Sequence, residues 1–146
     1  MGKIEINNRL NRKIDLKLVK RVAVEFARVY KIEDKEISLA FVGDAEIKKI
    51  NQAYRGLKEP TDVLSFAGAG DYFGEIIIDY SQIKRQAGKF NHSAKQEMIF
   101  ILVHGLLHLL GHDDKTEADR LKMIELGQKF ICHCERKRSN LTNGKE

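Results

Sequence analysis

His104 and His108 stand four residues apart inside an apolar run, and Gly111, His112, Asp113 and Asp114 follow directly. Four residues advance an α-helix by about 400°, so the two imidazoles project from one face, one turn apart. Neutral imidazoles spaced in this way can take two adjacent corners of a divalent-metal shell. A glycine past the helix end can turn the chain back, and a residue beyond it can take a third corner. His112 is the better zinc ligand by chemistry but lies one residue past the glycine, whereas Asp114 has more slack to swing back over the helix; either completes the set. Nitrogen and carboxylate ligands together suit zinc and leave nickel, cobalt and manganese open. Three protein ligands leave a fourth position for water, which the ion makes more acidic. A pair of ordinary core histidines is the bland alternative. Against it stands the cost of burying polar nitrogens without partners, about 1–3 kcal/mol each.

The residue after the first histidine decides the class of chemistry. A zinc-peptidase helix of the His-Glu-x-x-His type carries a glutamate general base there. Here the position is Gly105, so a peptidase would lack its water-activating carboxylate.

The elements that must position these residues follow from periodicity. Ser93 to Gln96 is a capping box, and it predicts a helix from there to Leu110, apolar nearly all round after Met98 and therefore buried, with Gly111 ending it. Lys3 to Ile6 reads as a short strand. Asp15 caps a helix to about Tyr30 with apolar residues at helical spacing, and Glu36 to Val42 alternates as a strand. Asp44 is the expected cap of a helix to about Tyr54, followed by a loop from Arg55 to Pro60. Asp62 to Phe66 and Gly74 to Asp79 look extended and are joined by a glycine-rich turn, as in a hairpin or edge pair. Ser81 to about Ala87 reads as a short helix ending at Gly88. Thr116 to Asp119 opens a last helix with Leu121, Ile124, Phe130 and Ile131 on its apolar side, and the polar stretch from about Glu135 to Glu146 is expected to fray. Strands early and long helices late imply a single α+β domain over residues 1–146, with a small mixed β-sheet packed against a buried central metal-binding helix.

Composition sets the outer bounds. The 146 residues include 42% hydrophobic residues, enough for one core and against wholesale disorder. The N-terminus has no apolar signal core, and the longest apolar stretch, Met98 to Leu110, is too short and too polar to span a bilayer, so a soluble cytosolic protein with no membrane partner is the default. The net charge of +5 favours polyanionic partners, RNA above all. Cys132 and Cys134 flank His133 but have no second pair to form a metal knuckle, so they read as ordinary thiols compatible with a reducing compartment.

Beyond the histidine helix, His104-Gly-Leu-Leu-His108-Leu-Leu-Gly111, two further blocks stand out: Asn51-Gln-Ala-Tyr-Arg55 with Thr61-Asp-Val-Leu-Ser-Phe66, and Gly74-Glu-Ile-Ile-Ile78. Together, over residues 51–114, they resemble the YbeY family of bacterial metal-dependent endoribonucleases. The resemblance implies a metalloprotease-like α+β fold, zinc as cofactor, and single-strand-specific RNA cleavage in rRNA maturation (16S 3′-end processing) and ribosome quality control. It implies single-stranded rRNA and the ribosome or its small-subunit proteins as partners. The family's third histidine falls on Asp114, so the resemblance assigns the metal to His104, His108 and Asp114, with His112 still a rival. It also assigns a catalytic role to Arg55. Phosphodiester cleavage builds charge on phosphate oxygens, and a guanidinium can clamp two of them. Asp62 and Ser65 could line the same cleft, though turn and capping duties explain them equally well. Two other classes remain open on the residues alone: a metal-dependent peptidase or amidase, and a non-enzymatic ribosome-binding factor with a structural metal.

Overall fold

The strand at Glu36–Val42 is apolar at every position but its first and third, and both of its faces are covered. Ile37, Leu39 and Phe41 enter one core, while Ala40 and Val42 enter a second, smaller one. The run Ile76-Ile77-Ile78 divides in the same way, which explains three successive isoleucines in one strand. These are the two central strands. In this computed structural model, which describes residues 2–56 and 61–143 with side chains through Lys137 in the last helix, the elements follow in order. They are β1 (Ile4–Asn8), α1 (Leu16–Val29), β2 (Glu36–Val42), α2 (Asp44–Arg55), β3 (Val63–Ala67), β4 (Tyr72–Asp79), α3 (Tyr80–Lys89), α4 (Ala94–Leu109) and α5 (Glu117–Asn143).

The sheet is mixed, in the order β1-β2-β4-β3. β1 pairs parallel to β2 with Ile6 opposite Leu39, and β2 pairs parallel to β4 with Leu39 opposite Ile76. β3 returns antiparallel to β4 with Ser65 opposite Ile76, which is the expected hairpin. Gly74, at φ 151, lies where an added Cβ would meet the Phe66 carbonyl at 2.6 Å and Leu109 at 2.8 Å, so the hairpin can pass under the helix end only with glycine there.

α4 crosses the larger-core face of the sheet and also touches α1, α3 and α5. Its capping box is complete: Gln96 N–H donates to Ser93 Oγ at 3.0 Å, and Ser93 N–H donates to Gln96 Oε1 at 2.9 Å. Met98, Ile101, Leu102, Val103, Leu106 and Leu107 are buried on several sides of the helix, as a helix apolar all round requires.

Several boundaries differ from the sequence-based expectation. β1 runs on to Asn8 because its pairing with β2 continues to Phe41. Gly43 is the N-cap of α2, and Asp44 instead accepts both guanidinium nitrogens of Arg85, at 3.1 and 2.7 Å. α2 extends through Arg55 and stops at Gly56, φ 70; the rest of the expected loop, residues 57–60, lies outside the described residues. α3 begins earlier, at Tyr80, because Asp79 caps it by accepting Ser81 and Gln82 N–H groups, and it continues past Gly88 to Lys89. α5 does not fray at Glu135. Glu25 of α1, 8% exposed, accepts hydrogen bonds from His133 Nε2 at 2.5 Å and Lys137 Nζ at 2.9 Å of α5, and from Arg28 Nη2 at 2.6 Å. Tertiary charge thus holds a segment that composition marked as loose.

Two predictions follow from this packing. Arg28, Lys137 and His133 keep the Glu25 carboxyl far below the usual glutamate range. A depressed pKa means the stabilisation is present above pH ~4.5 and is lost as pH falls. Glu25→Gln should lower stability at pH 7 by about 1–2 kcal/mol, discounted for partly exposed partners, and speed hydrogen exchange in α5; the wild-type advantage should shrink in chemical denaturation at acid pH. Gly105 is the second point. An added Cβ would lie 3.1 Å from Ile76 Cγ2 and 3.3 Å from both Ser65 Oγ and Val63 Cγ2. Gly105→Glu, which restores the peptidase-type residue, should therefore push β3 away and cost more than about 2 kcal/mol in thermal or denaturant melts, without conferring caseinolytic activity.

Candidate metal centre

α4 delivers both imidazoles at its C-terminal end. His104 Nε2 and His108 Nε2 face each other at 3.2 Å, with the rings 4.7 Å apart and nearly perpendicular. Asp114 Oδ2 completes the group at 3.8 Å from His104 Nε2 and 3.9 Å from His108 Nε2. Among the described residues this is the one group of three or more histidine, cysteine or acidic side chains that converges tightly enough to hold an ion. The imidazoles are 22% and 28% exposed and the carboxylate 47%, so the group opens to solvent on the Asp114 side.

The turn after α4 determines which of three competing residues reaches the site. Gly111 takes φ 109, and His112 N–H bonds back to the Leu107 carbonyl at 3.2 Å. His112 then offers its own carbonyl, 3.1 Å from His108 Nδ1. Asp113 is occupied by a local turn, accepting Lys115 N–H at 3.2 Å. Asp114 is left to reach over the helix end. His112 therefore contributes its backbone to the site while its imidazole stays outside the converging group.

The donor chemistry fits a divalent cation. His108 Nδ1–H donates to the His112 carbonyl, which leaves the Nε2 lone pair directed at the site. Burial, with the neighbouring His108, pushes the His104 pKa down and keeps that ring neutral, while Asp114 and Asp62 partly oppose the shift. Two nitrogens bound at about 2.0–2.1 Å to one zinc-sized ion lie roughly 3.3 Å apart, close to the separation seen here. Phe100 stacks on His104 at 6.3 Å and restricts its ring.

Arg55 occupies the last turn of α2, exposed, and no described carboxylate pairs with it. Among the described residues no hydrogen bond, ion pair or ring contact joins it to the histidine group. Ser65 Oγ donates to the Gly105 carbonyl at 3.3 Å, so Ser65 joins β3 to α4 and does not point at the ligand atoms. Asp62 sits half-buried at the start of β3, close enough that its charge acts on His104. Gln86 Nε2 of α3 donates to Asp62 Oδ2 at 3.2 Å and to Glu97 Oε2 of α4 at 3.3 Å, a bridge that carried no sequence signal. Cys132 is exposed and Cys134 half-buried, with its thiol pushed up to about 11 by burial, and neither joins a metal-binding group. No helix among the described residues is long and apolar enough to cross a membrane.

Known proteins share this pattern. Residues 3–135 match the family described as Endoribonuclease YbeY. Endoribonuclease YbeY of Heliobacterium modesticaldum is 41% identical over 118 residues, covering 70% of this chain and 71% of that protein. The Halalkalibacterium halodurans protein of the same name is 37% identical over 124 residues, covering 73% and 78%. Among solved structures, the solution structure of TM1509 from Thermotoga maritima aligns with a TM-score of 0.67 and 29% identity, covering 96% of this chain and 93% of that one. With its α+β fold, its histidine group and a match that spans nearly all of the chain, the protein belongs to the YbeY family of endoribonucleases.

Proposed function

We propose that this endoribonuclease holds a zinc ion with His104, His108 and Asp114, binds the scissile phosphate with Arg55, and cleaves single-stranded rRNA in the cytoplasm during ribosome maturation. The observation that carries the reading is the hydrogen bond from His108 Nδ1 to the His112 carbonyl. It fixes the tautomer that turns Nε2 towards His104 and Asp114. Bound there, a divalent ion supplies Lewis-acid charge to a water or a phosphate oxygen.

The chain's own groups supply the rest. His104 stays neutral in its half-buried position and can present a lone pair. Asp114 brings a negative charge where an imidazole would bring none, which lowers the net charge of the site by one and favours harder cations than a three-histidine set would. Arg55, exposed and without a carboxylate partner among the described residues, offers a guanidinium fork for two phosphate oxygens as charge builds on them. The net charge of +5 adds a general attraction for the RNA backbone. Where a peptidase helix would carry its glutamate, Gly105 packs against β3, which favours a phosphodiester substrate over a peptide. Contact with the ribosome's small subunit belongs to the same reading, through the rRNA substrate.

The reading is tested by metal analysis beside an RNA cleavage assay. His108→Ala should lose stoichiometric metal; full occupancy by elemental analysis would count against the site. Asp114→His should keep or tighten binding, and His112→Ala should retain the ion, because that residue acts through its carbonyl. Arg55→Ala should slow cleavage of a single-stranded oligonucleotide by about 100-fold with metal content unchanged, and wild-type cleavage should weaken as salt rises. Unchanged turnover in Arg55→Ala would remove its catalytic role.

A further inference from the structure

Tyr54 is 73% exposed, more than any other large apolar side chain among the described residues. It stands in the last turn of α2, directly before Arg55. Its ring packs edge-to-face on Phe66 of β3, with centroids 5.1 Å apart and planes at 62°. Phe66 is half-buried against the smaller core, so the tyrosine rests on a fixed base while most of its own surface stays open. Ile47, Ile50 and Tyr54 share one side of α2 by helical spacing, and Lys48, Gln52 and Arg55 form the exposed flank beside it. Neither Lys48 nor Arg55 pairs with a carboxylate among the described residues. The strand that supports Tyr54 also touches the histidine helix. Leu64 and Phe66 pack into the smaller core, whereas Val63 and Ser65 face α4, where Ser65 Oγ donates to the carbonyl of Gly105, the residue after His104. β3 is an edge strand, so no further strand lies beyond the one whose two faces carry the aromatic pair and the contact with α4. An open aromatic face beside cations suits an unpaired nucleobase and its phosphates: the ring takes the base by stacking and the cations take the backbone.

We propose that Tyr54, propped by Phe66, is the stacking platform for an unpaired nucleobase and makes the enzyme select single-stranded RNA, with Lys48 and Arg55 on the adjoining phosphates. A base inside a duplex has both faces covered by its neighbours, so it reaches the ring only by leaving the stack, which costs energy that an unpaired base does not spend. The platform accepts any of the four bases, because each has a π-face to offer. The inference rests on the reading that the substrate is single-stranded RNA, and it names the residue that makes that choice.

The chain contains no tryptophan, so Tyr54→Trp puts a single indole on the platform of the full-length protein. A cleavage-resistant single-stranded RNA oligonucleotide should quench its fluorescence, and a duplex of the same sequence at the same concentration should not. Tyr54→Ala should lower the anisotropy-measured affinity for that oligonucleotide by about tenfold or more, and should raise KM while kcat stays within a few-fold of wild type. Tyr54→Phe should bind like wild type. The slope of affinity against salt should be the same in Tyr54→Ala as in wild type, because no phosphate contact is lost. Wild-type affinity in Tyr54→Ala would overturn the proposal, as would an indole signal that is absent or equal for the duplex. A weaker affinity with a shallower salt slope would overturn it too, since the tyrosine would then act only by placing Arg55. If Tyr54→Ala melts early, the indole signal decides alone. Both readouts measure binding, so a wild-type protein that bound single strands and cut nothing would overturn the proposed function and leave the platform standing.

Discussion

The approach of β3 to α4 at Gly105 is the contact on which the rest of the site depends. A Cβ at position 105 would lie 3.1 Å from Ile76 and 3.3 Å from Ser65 and Val63, so glycine lets the strands lie this close to the helix without shifting, and Ser65 Oγ ties β3 to the Gly105 carbonyl. That packing anchors the helix one residue after His104 and one turn before the cleft. An apolar helix covered on all sides is rigid because its rotamers are locked by close packing. Rigidity is what a pair of imidazoles needs to hold a fixed 3.2 Å separation. The cover ends at Leu110, and Gly111 turns the chain so that Asp114 meets the imidazoles from the solvent side.

Charge is distributed over the fold by the same burial. Glu25, nearly buried between α1 and α5, accepts hydrogen bonds from Arg28, Lys137 and His133 and stays ionised. Asp44 is held to about 2 by Arg85, and burial, with the neighbouring Asp44, raises Asp79 to about 7. These groups fix helix ends and helix pairs. Asp62 and Glu97, which share the amide of Gln86, are likewise pushed up by burial. A buried carboxyl without a cation stays ready to take up a proton, whereas one clamped by guanidinium or ammonium does not. Carboxylates paired with a cation and those buried without one therefore differ because of what surrounds them.

Asp114 shows how local geometry decides which side chain joins the histidine group. His112, Asp113 and Asp114 all carry groups that bind metals, and their spacing ranks them only loosely. The left-handed turn at Gly111 sends the His112 carbonyl to His108 and ties Asp113 to Lys115, so Asp114 alone is free to close the group. One turn thus supplies both the carboxylate that joins the histidine group and the hydrogen bond that orients His108.

Much of this was legible in the sequence. The four-residue spacing of His104 and His108, the capping box at Ser93, the alternation in Glu36 to Val42 and the stop at Gly111 are local signals, and local backbone physics is enough to read them. The α+β class and the family resemblance rest on the same short motifs. What needed the tertiary structure depends on residues far apart in the chain. The helix from Glu117 persists beyond Glu135 because Glu25, over one hundred positions away, binds His133 and Lys137. Asp44 gives up its cap for Arg85. Asp62, Gln86 and Glu97 meet only because β3, α3 and α4 pack together. Sequence by itself determined which side chains could bind a metal, since helical periodicity is a property of neighbours. Only the folded chain decided which of them converge and which carboxylates lack a cation, since burial and pairing are properties of distant segments brought into contact.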